Sequence, residues 1–373
     1  MMNPIQSEER RESAGSDRAR GVGGGRPELL PPPELEALPI RVHSVLNRVE
    51  PSRPAHRRYG FGWTLNPYRG CAFACRYCYA RYTHEWLGLD GDGDFDRRIR
   101  LKQDIAAVLE HDLARVSRRR ALRAGRSGGE WGDGPEEGIA IGTATDPYQP
   151  IESEVGLTRA CLEVFARGSG RRLELTTKSN LVVRDLDLLR AIAERNEITV
   201  HVTVTTLDRA LARSLEPGAP SPRARIEAIA ALASAGIRVE PFVCPLIPGL
   251  NDADGDLERL FAELAHAGAS RVVCEAIFLR SPTKEIFLRF LDAEAPELAE
   301  RYRRRFSDSA YLSPIEVERL RARVDRLRRR FGLAGAAPPD RPAISRAPRR
   351  APPRRLPRRA PPASRPEQLG LFG

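Results

Sequence analysis

Three cysteines, four tyrosines and a histidine fall within nineteen consecutive residues, NPYRGCAFACRYCYARYTH at positions 66–84, of a chain that has six cysteines in all. The thiols are spaced Cys71-x3-Cys75-x2-Cys78. Sulfurs this close in sequence can share one metal centre, and three are one short of a closed tetrahedral site. Two chemistries follow from that deficit. If His84 supplies a fourth ligand, the site is a structural Cys3His zinc. If no protein ligand completes it, the three thiolates hold three irons of a four-iron four-sulfur cluster and leave the fourth iron open to an exogenous ligand, which makes a reactive position. Cys161, Cys244 and Cys274 stand apart from the cluster and from one another, and read as small buried hydrophobes.

Compartment decides which thiol chemistry is available. No run of eighteen apolar residues occurs and the N-terminal region is charged throughout, so the expectation is a soluble, cytoplasmic protein that does not enter a membrane. In a reducing cytosol clustered cysteines are metal ligands or catalytic groups before they are disulfides.

The elements that must position the thiols are legible as apolar periodicity. GIAIGTA (138–144), RLELTTK (172–178), ITVHVTVTT (198–206), IRVEPFVCPLI (237–247) and SRVVCEAIFL (270–279) are β-branched runs bounded by Gly, Asn, Asp or Pro, and predict buried strands. Between them VGLTRACLEVFARG, DLDLLRAIAERN, PRARIEAIAALASAG and GDLERLFAELAHAG repeat apolar residues every three or four positions and predict helices. Alternation of this kind builds an α/β fold on a parallel sheet with right-handed crossovers. With a first strand around FGWTLNPY the count is about six βα units, which predicts a partial (βα)6 TIM-like barrel with its chemistry at the C-terminal ends of the strands. The three cysteines directly follow the first of these.

Composition divides the chain into a disordered tail at 1–36, a barrel domain at 37–337 and an extended Pro/Arg-rich arm at 338–373. The arm has nine arginines against one aspartate and one glutamate, a net of +7 out of +11 for the whole chain. A polyanion near the arm, nucleic acid before others, is the partner such charge predicts.

CxxxCxxC after the first strand of a partial barrel, with Tyr77 just before the third cysteine, resembles the radical S-adenosylmethionine superfamily. The resemblance implies a 4Fe-4S cluster on Cys71, Cys75 and Cys78, S-adenosylmethionine chelated at the open iron, and a reductant protein such as flavodoxin or ferredoxin. It implies reductive cleavage of the cofactor to methionine and a 5′-deoxyadenosyl radical that abstracts hydrogen from a substrate. It also implies cofactor contacts at Tyr77, at Thr143 and Thr145 for the methionyl amino group, at Lys178 for the carboxylate, at Thr205 for the ribose, and at Ile247 and Gly249 against the adenine. Over residues 40 to about 300 the pieces NPYRGCxxxCxYCYAR, ATDPYQPIE, LTTKS and LEPGAPSPRARIEAI are similar to the spore photoproduct lyase-like, or DNA repair photolyase-like, branch. That branch implies a lyase or DNA repair enzyme acting on DNA or a nucleotide-like substrate. The chain departs from it at one point: no cysteine occurs between Tyr79 and Ala160. The second strand therefore ends in threonines where the branch has a hydrogen-donating thiol.

The last residues, Gln368-Leu369-Gly370-Leu371-Phe372, resemble the peptide with which bacterial polymerases and repair proteins dock onto the sliding clamp, and predict that partner. The competing reading from another class is a non-catalytic, cluster- or zinc-containing binding protein tethered to the replication or repair machinery.

Overall fold

A computed structural model describes residues 35–50, 60–85, 87–123 and 138–334. Its strands, in chain order, are β1 (Glu36–Ile40), β2 (Leu46–Arg48), β3 (Phe61–Leu65), β4 (Tyr68–Arg69), β5 (Arg98–Lys102), β6 (Gly138–Ile141), β7 (Arg172–Thr177), β8 (Glu197–Val202), β9 (Arg238–Val239), β10 (Phe242–Leu246) and β11 (Val273–Ala276). The main helices are α1 (Ile105–Arg123), α2 (Leu157–Arg167), α3 (Leu186–Ala193), α4 (Arg209–Leu215), α5 (Pro222–Ser234), α6 (Asp254–His266), α7 (Thr283–Glu294), α8 (Pro296–Arg305) and α9 (Pro314–Arg330).

β3, β6, β7, β8 and β9 pair parallel in sequence order, with β2 antiparallel on the outer edge of β3. A parallel bridge from Thr203 to Phe242 and the parallel β10–β11 pair carry the same succession onward. With β9 and β10 counted as one broken segment, six parallel segments thus follow one another, with helices between successive segments. No pairing joins β11 to β3 among the described residues, so the barrel is open, as the count of six units predicts.

Strand alternation assigns the two faces. On β7, Leu173, Leu175 and Thr177 are buried, while Arg172, Glu174 and Thr176 occupy the opposite face and keep partial exposure, as does Lys178 just past the strand end. The apolar stripes of the covering helices complete one core: Cys161, Leu162, Val164 and Phe165 from α2, Leu189 and Ile192 from α3, and Leu257, Leu260, Phe261 and Leu264 from α6.

The run at 237–247 breaks into β9 and β10 around Pro241, which has no N–H to give a ladder. The run at 198–206 leaves the strand after Val202. A small sheet of order β1-β5-β4 was not legible, because β1 carries a proline, β5 alternates with arginine and lysine, and β4 has two residues; it seats Tyr68–Arg69 just ahead of Cys71. Residues 1–34 and 335–373 lie outside the described residues, and Glu36, assigned by composition to the N-terminal tail, opens β1. No helix among the described residues is long and apolar enough to cross a membrane.

Candidate active site

The cysteine loop is fastened along its length. Lys102 of β5 donates to the carbonyl of Asn66 at 2.5 Å, and burial pulls its pKa down to about 8. The Asn66 amide in turn bridges to the end of β6, donating to Thr143 Oγ1 at 3.2 Å and accepting from the Ala144 N–H at 2.8 Å. Gln149 donates to the Gly70 carbonyl at 3.3 Å and accepts from the Ala72 N–H at 2.9 Å. Arg81, with no exposed side-chain surface, donates to the Cys75 carbonyl at 3.1 Å while paired to Asp96 at 2.8 Å. From the far side, the Arg76 N–H donates to the Leu215 carbonyl at 2.9 Å and the Gly218 N–H to that of Phe73 at 3.2 Å. Gly218 is required there, since a Cβ would lie 2.2 Å from the Ala72 carbonyl oxygen.

All three thiols are free. Cys71 and Cys75 are 8 % and 6 % exposed, and Cys78 is half-buried. Burial, then Asp146, holds the Cys71 pKa well above the ordinary range. Burial pushes Cys75 up to about 12 against the pull of Lys178, and raises Cys78 against Arg81 and Lys178. Left to themselves these sulfurs are thiols; a soft metal centre that takes up their charge is what converts them to thiolates.

Lys178 is the cation nearest this chemistry. Burial works against its charge, but Cys75, Glu216 and Asp146 outweigh it and hold its pKa above that of an ordinary lysine. Its Nζ lies 5.8 Å from the centre of the Tyr77 ring. Asp146 fixes the turn below it, accepting from Thr177 Oγ1 and from the Lys178 N–H, each at 2.7 Å. Behind Lys178, Tyr77 donates to Glu216, Thr205 donates to the same oxygen at 2.6 Å, and Arg225 pairs with the other carboxylate oxygen at 2.6 Å. Burial and Glu216 keep the Tyr77 phenol protonated far above the usual range. Glu216 stays ionised, because Arg225 and Lys178 more than offset its burial.

Of the residues predicted from sequence, Cys75, Cys78, Tyr77, Lys178 and Thr205 therefore share one polar neighbourhood at the C-terminal mouth, and Cys71 joins it through Asp146. Thr143 and Thr145 lie at the wall, where Thr145 uses its hydroxyl on the Gly70 carbonyl at 2.5 Å. Ile247 is fully buried, and Asn251 ties it to the mouth by accepting from the Ile247 N–H at 2.6 Å and donating to the Thr205 carbonyl at 2.9 Å. Gly249, with φ of 90°, lines a separate surface pocket of about 410 Å³ with Leu250, Pro296, Leu298 and Arg301. His84 does not join the thiols. Its ring is buried against Phe95 at 5.0 Å, with Nε2 3.4 Å from Arg100, and burial and that guanidinium lower its pKa to about 4. Among the described residues no group of three or more His, Cys, Asp or Glu converges on a single-ion site. On this geometry His84 gives no support to a Cys3His zinc site. Cys161 is fully buried as expected, whereas Cys244 and Cys274 are half-buried. Gln368, Leu369, Leu371 and Phe372 lie outside the described residues.

Sequence reasoning missed Arg81, Gln149, Glu216 and Arg225. Arg225 had a signal: it falls on the buried stripe Pro222, Arg225, Ala228, Ile229, Leu232 of α5, where a charge must have a buried partner.

An open parallel barrel with three free cysteines on the loop that follows its first strand is a setting that suits a metal-cluster enzyme of the partial-barrel class. Residues 65–261 match the model of the Radical SAM superfamily. The chain is 38% identical over 300 residues to the uncharacterized protein Rv2578c of Mycobacterium tuberculosis, covering 80% of this chain and 82% of that one. It is 29% identical over 195 residues to the uncharacterized protein MJ0683 of Methanocaldococcus jannaschii, covering 52% and 64%. Its fold is similar to that of a solved spore photoproduct lyase variant, with a TM-score of 0.53, 18% identity and 80% of each chain covered. The chain belongs to the radical SAM superfamily, and it is a radical SAM enzyme. The family implies S-adenosylmethionine and an iron–sulfur cluster, and three free thiols with a partly buried cation beside them fit both groups.

Proposed function

We propose that Cys71, Cys75 and Cys78 hold a 4Fe-4S cluster, and that the enzyme acts in the cytoplasm on DNA or a nucleotide-like substrate. The carrying observation is the convergence of Cys75, Cys78 and Lys178 at the mouth of the barrel. When bound, the cluster and S-adenosylmethionine together supply reductive carbon–sulfur cleavage and a 5′-deoxyadenosyl radical. The chain's own part is positional. Lys178 offers the cofactor carboxylate a charge-assisted hydrogen bond. Thr205 would offer its hydroxyl to the ribose beside Tyr77, and Glu216, bonded to both and paired with Arg225, would hold the two in place. Asn66, Gln149 and Arg81 hold the loop against reorganisation. A nucleic-acid substrate is supported by the formal charge of +11 and by a fold shared with a spore photoproduct lyase solved with dinucleoside spore photoproduct, at a TM-score of 0.52 and 18% identity. Without a thiol between Tyr79 and Ala160, the substrate is a nucleotide other than that photoproduct, or the hydrogen returns from another group. Flavodoxin or ferredoxin is the proposed electron donor, and the segment Gln368–Phe372 the proposed contact to a sliding clamp. Anaerobic reconstitution with iron and sulfide, then S-adenosylmethionine and dithionite, should release 5′-deoxyadenosine. A brown protein that leaves the cofactor intact under those conditions refutes the reading.

A further inference from the structure

Large apolar side chains are rarely left in water together, yet two of the exposed ones belong to a single row that starts at the cysteine loop. Tyr79, the residue after Cys78, is 44% exposed, and Tyr311 is 51% exposed. Phe278 stands between them. Its ring centroid is 5.6 Å from that of Tyr79 at an interplanar angle of 40°, and 5.7 Å from that of Tyr311 at 29°. The backbone builds this row: Phe278, just beyond β11, bridges antiparallel to Tyr311, and the Leu279 N–H donates to the Ala310 carbonyl at 2.8 Å. Tyr79 is pinned by its hydroxyl, which donates to the Thr143 carbonyl. Arg280 closes the far end, its guanidinium 5.5 Å over the Tyr311 ring and donating to the Tyr311 hydroxyl at 2.6 Å.

We propose that Tyr79, Phe278, Tyr311 and Arg280 form a stacking platform for the bases of an unpaired nucleic-acid segment, beside the cluster thiols. This deepens the nucleic-acid reading given above and rests on it for its substrate. The chemistry of the row selects the occupant. Aromatic faces accept any base, each stack being favourable regardless of sequence, and a guanidinium adds a phosphate or cation–π contact. Of the chain's charge of +11, +7 belongs to the arm at 338–373, which would bring a polyanion to the same molecule. Cys71 and Cys75 are buried, so chemistry started beside them takes place inside the fold, which a base still stacked in a duplex cannot enter; it must be single-stranded or extruded, and an extruded base needs a surface to replace its lost stacking.

The test uses the full chain, anaerobically reconstituted, and fluorescence anisotropy with two labelled single strands of equal length, one bearing thymine bases and one abasic. The wild type should prefer the base-bearing strand by roughly tenfold. Tyr311→Ala should erase that preference while leaving abasic affinity, which the basic residues elsewhere supply, within about twofold. Tyr311→Leu, which keeps apolar bulk beside Phe278 without a π face, should match Tyr311→Ala, and Tyr311→Phe should match the wild type. No preference in the wild type, or an equal loss for both strands in Tyr311→Ala, overturns the platform. So does unchanged strand binding in Tyr311→Ala with slowed cluster reduction by reduced flavodoxin, which would make the row a docking patch for the electron donor. Release of 5′-deoxyadenosine, measured without any strand, reports on the radical chemistry separately, so the two readings can fail independently.

Discussion

Glu216→Gln is the substitution whose consequence the structure defines best. Glu216 and Arg225 are paired at 2.6 Å with side chains 0% and 1% exposed, and Glu216 also accepts from Thr205 and Tyr77. Glutamine keeps the shape and can still accept those two hydroxyl hydrogen bonds. What it removes is the charge that compensates Arg225. Leaving one member of a buried pair without its partner costs roughly 3–5 kcal/mol. At about 2–4 °C of melting temperature per kcal/mol for a large domain, the midpoint should fall by on the order of 10 °C. The double variant Glu216→Gln/Arg225→Met removes both charges and keeps an acceptor for Thr205 and Tyr77, so it should recover most of that loss. Differential scanning calorimetry of the wild type, the two single variants and the double closes the cycle. The reasoning is refuted if Glu216→Gln melts within about 2 °C of the wild type, or if the double variant loses as much as the two singles added together. A second reading comes from iron. Leu215 and Gly218 flank this residue in the segment that bonds to the cysteine loop, so Glu216→Gln should also retain iron less firmly than the wild type during dialysis against chelator.

Alanine at Cys71, Cys75 or Cys78 should each abolish the brown colour and visible absorption of reconstituted protein, whereas alanine at Cys161, Cys244 or Cys274 should leave them; four irons per chain in Cys75→Ala would break the ligand assignment. Lys178→Met keeps the side-chain volume beside Tyr77 and removes the charge, so affinity for S-adenosylmethionine by equilibrium dialysis should drop roughly ten- to a hundredfold, with iron content unchanged. For His84, the folded pKa of about 4 lies below the ordinary 6.5, so the unfolded chain binds the extra proton first and stability falls as pH drops from about 6.5 to 4. That slope, on the order of 2–3 kcal/mol across the window, should flatten in His84→Phe during urea titrations at stepped pH; parallel curves for the two proteins would assign the acid sensitivity elsewhere. A peptide of residues 360–373 should bind a bacterial sliding clamp near the micromolar range, insensitive to moderate salt, and lose binding when Leu371 and Phe372 become alanine; equal binding by both peptides would leave only a basic tail.

What the sequence determined by itself was whatever is written in local spacing. Cys71, Cys75 and Cys78 announce a shared centre because close thiols on one loop need no long-range information to be recognised. The period-two runs at 172–178 and 198–206 and the helical repeats between them likewise specify parallel strands, and with them the end of the sheet where chemistry gathers. Lys178 was readable as the terminal residue of such a strand. The tertiary structure decided which charges meet. Glu216 and Arg225 are ordinary in a list of residues, and only burial at the back of Lys178 turns them into a wall of the site. Gln149 reaches Gly70 and Ala72 across more than seventy positions, a contact that no periodicity encodes. His84 shows the converse. Its nearness to Cys78 in sequence suggested a ligand, but the packing of Phe95 and Arg100 turned the ring away, because a short helix after the loop sets its direction independently of distance along the chain. The row of Tyr79, Phe278 and Tyr311 unites three parts of the chain through one antiparallel bridge beyond the last strand. Strand pairing at that distance is settled by the whole fold, and so the surface it creates could be read only from the folded molecule.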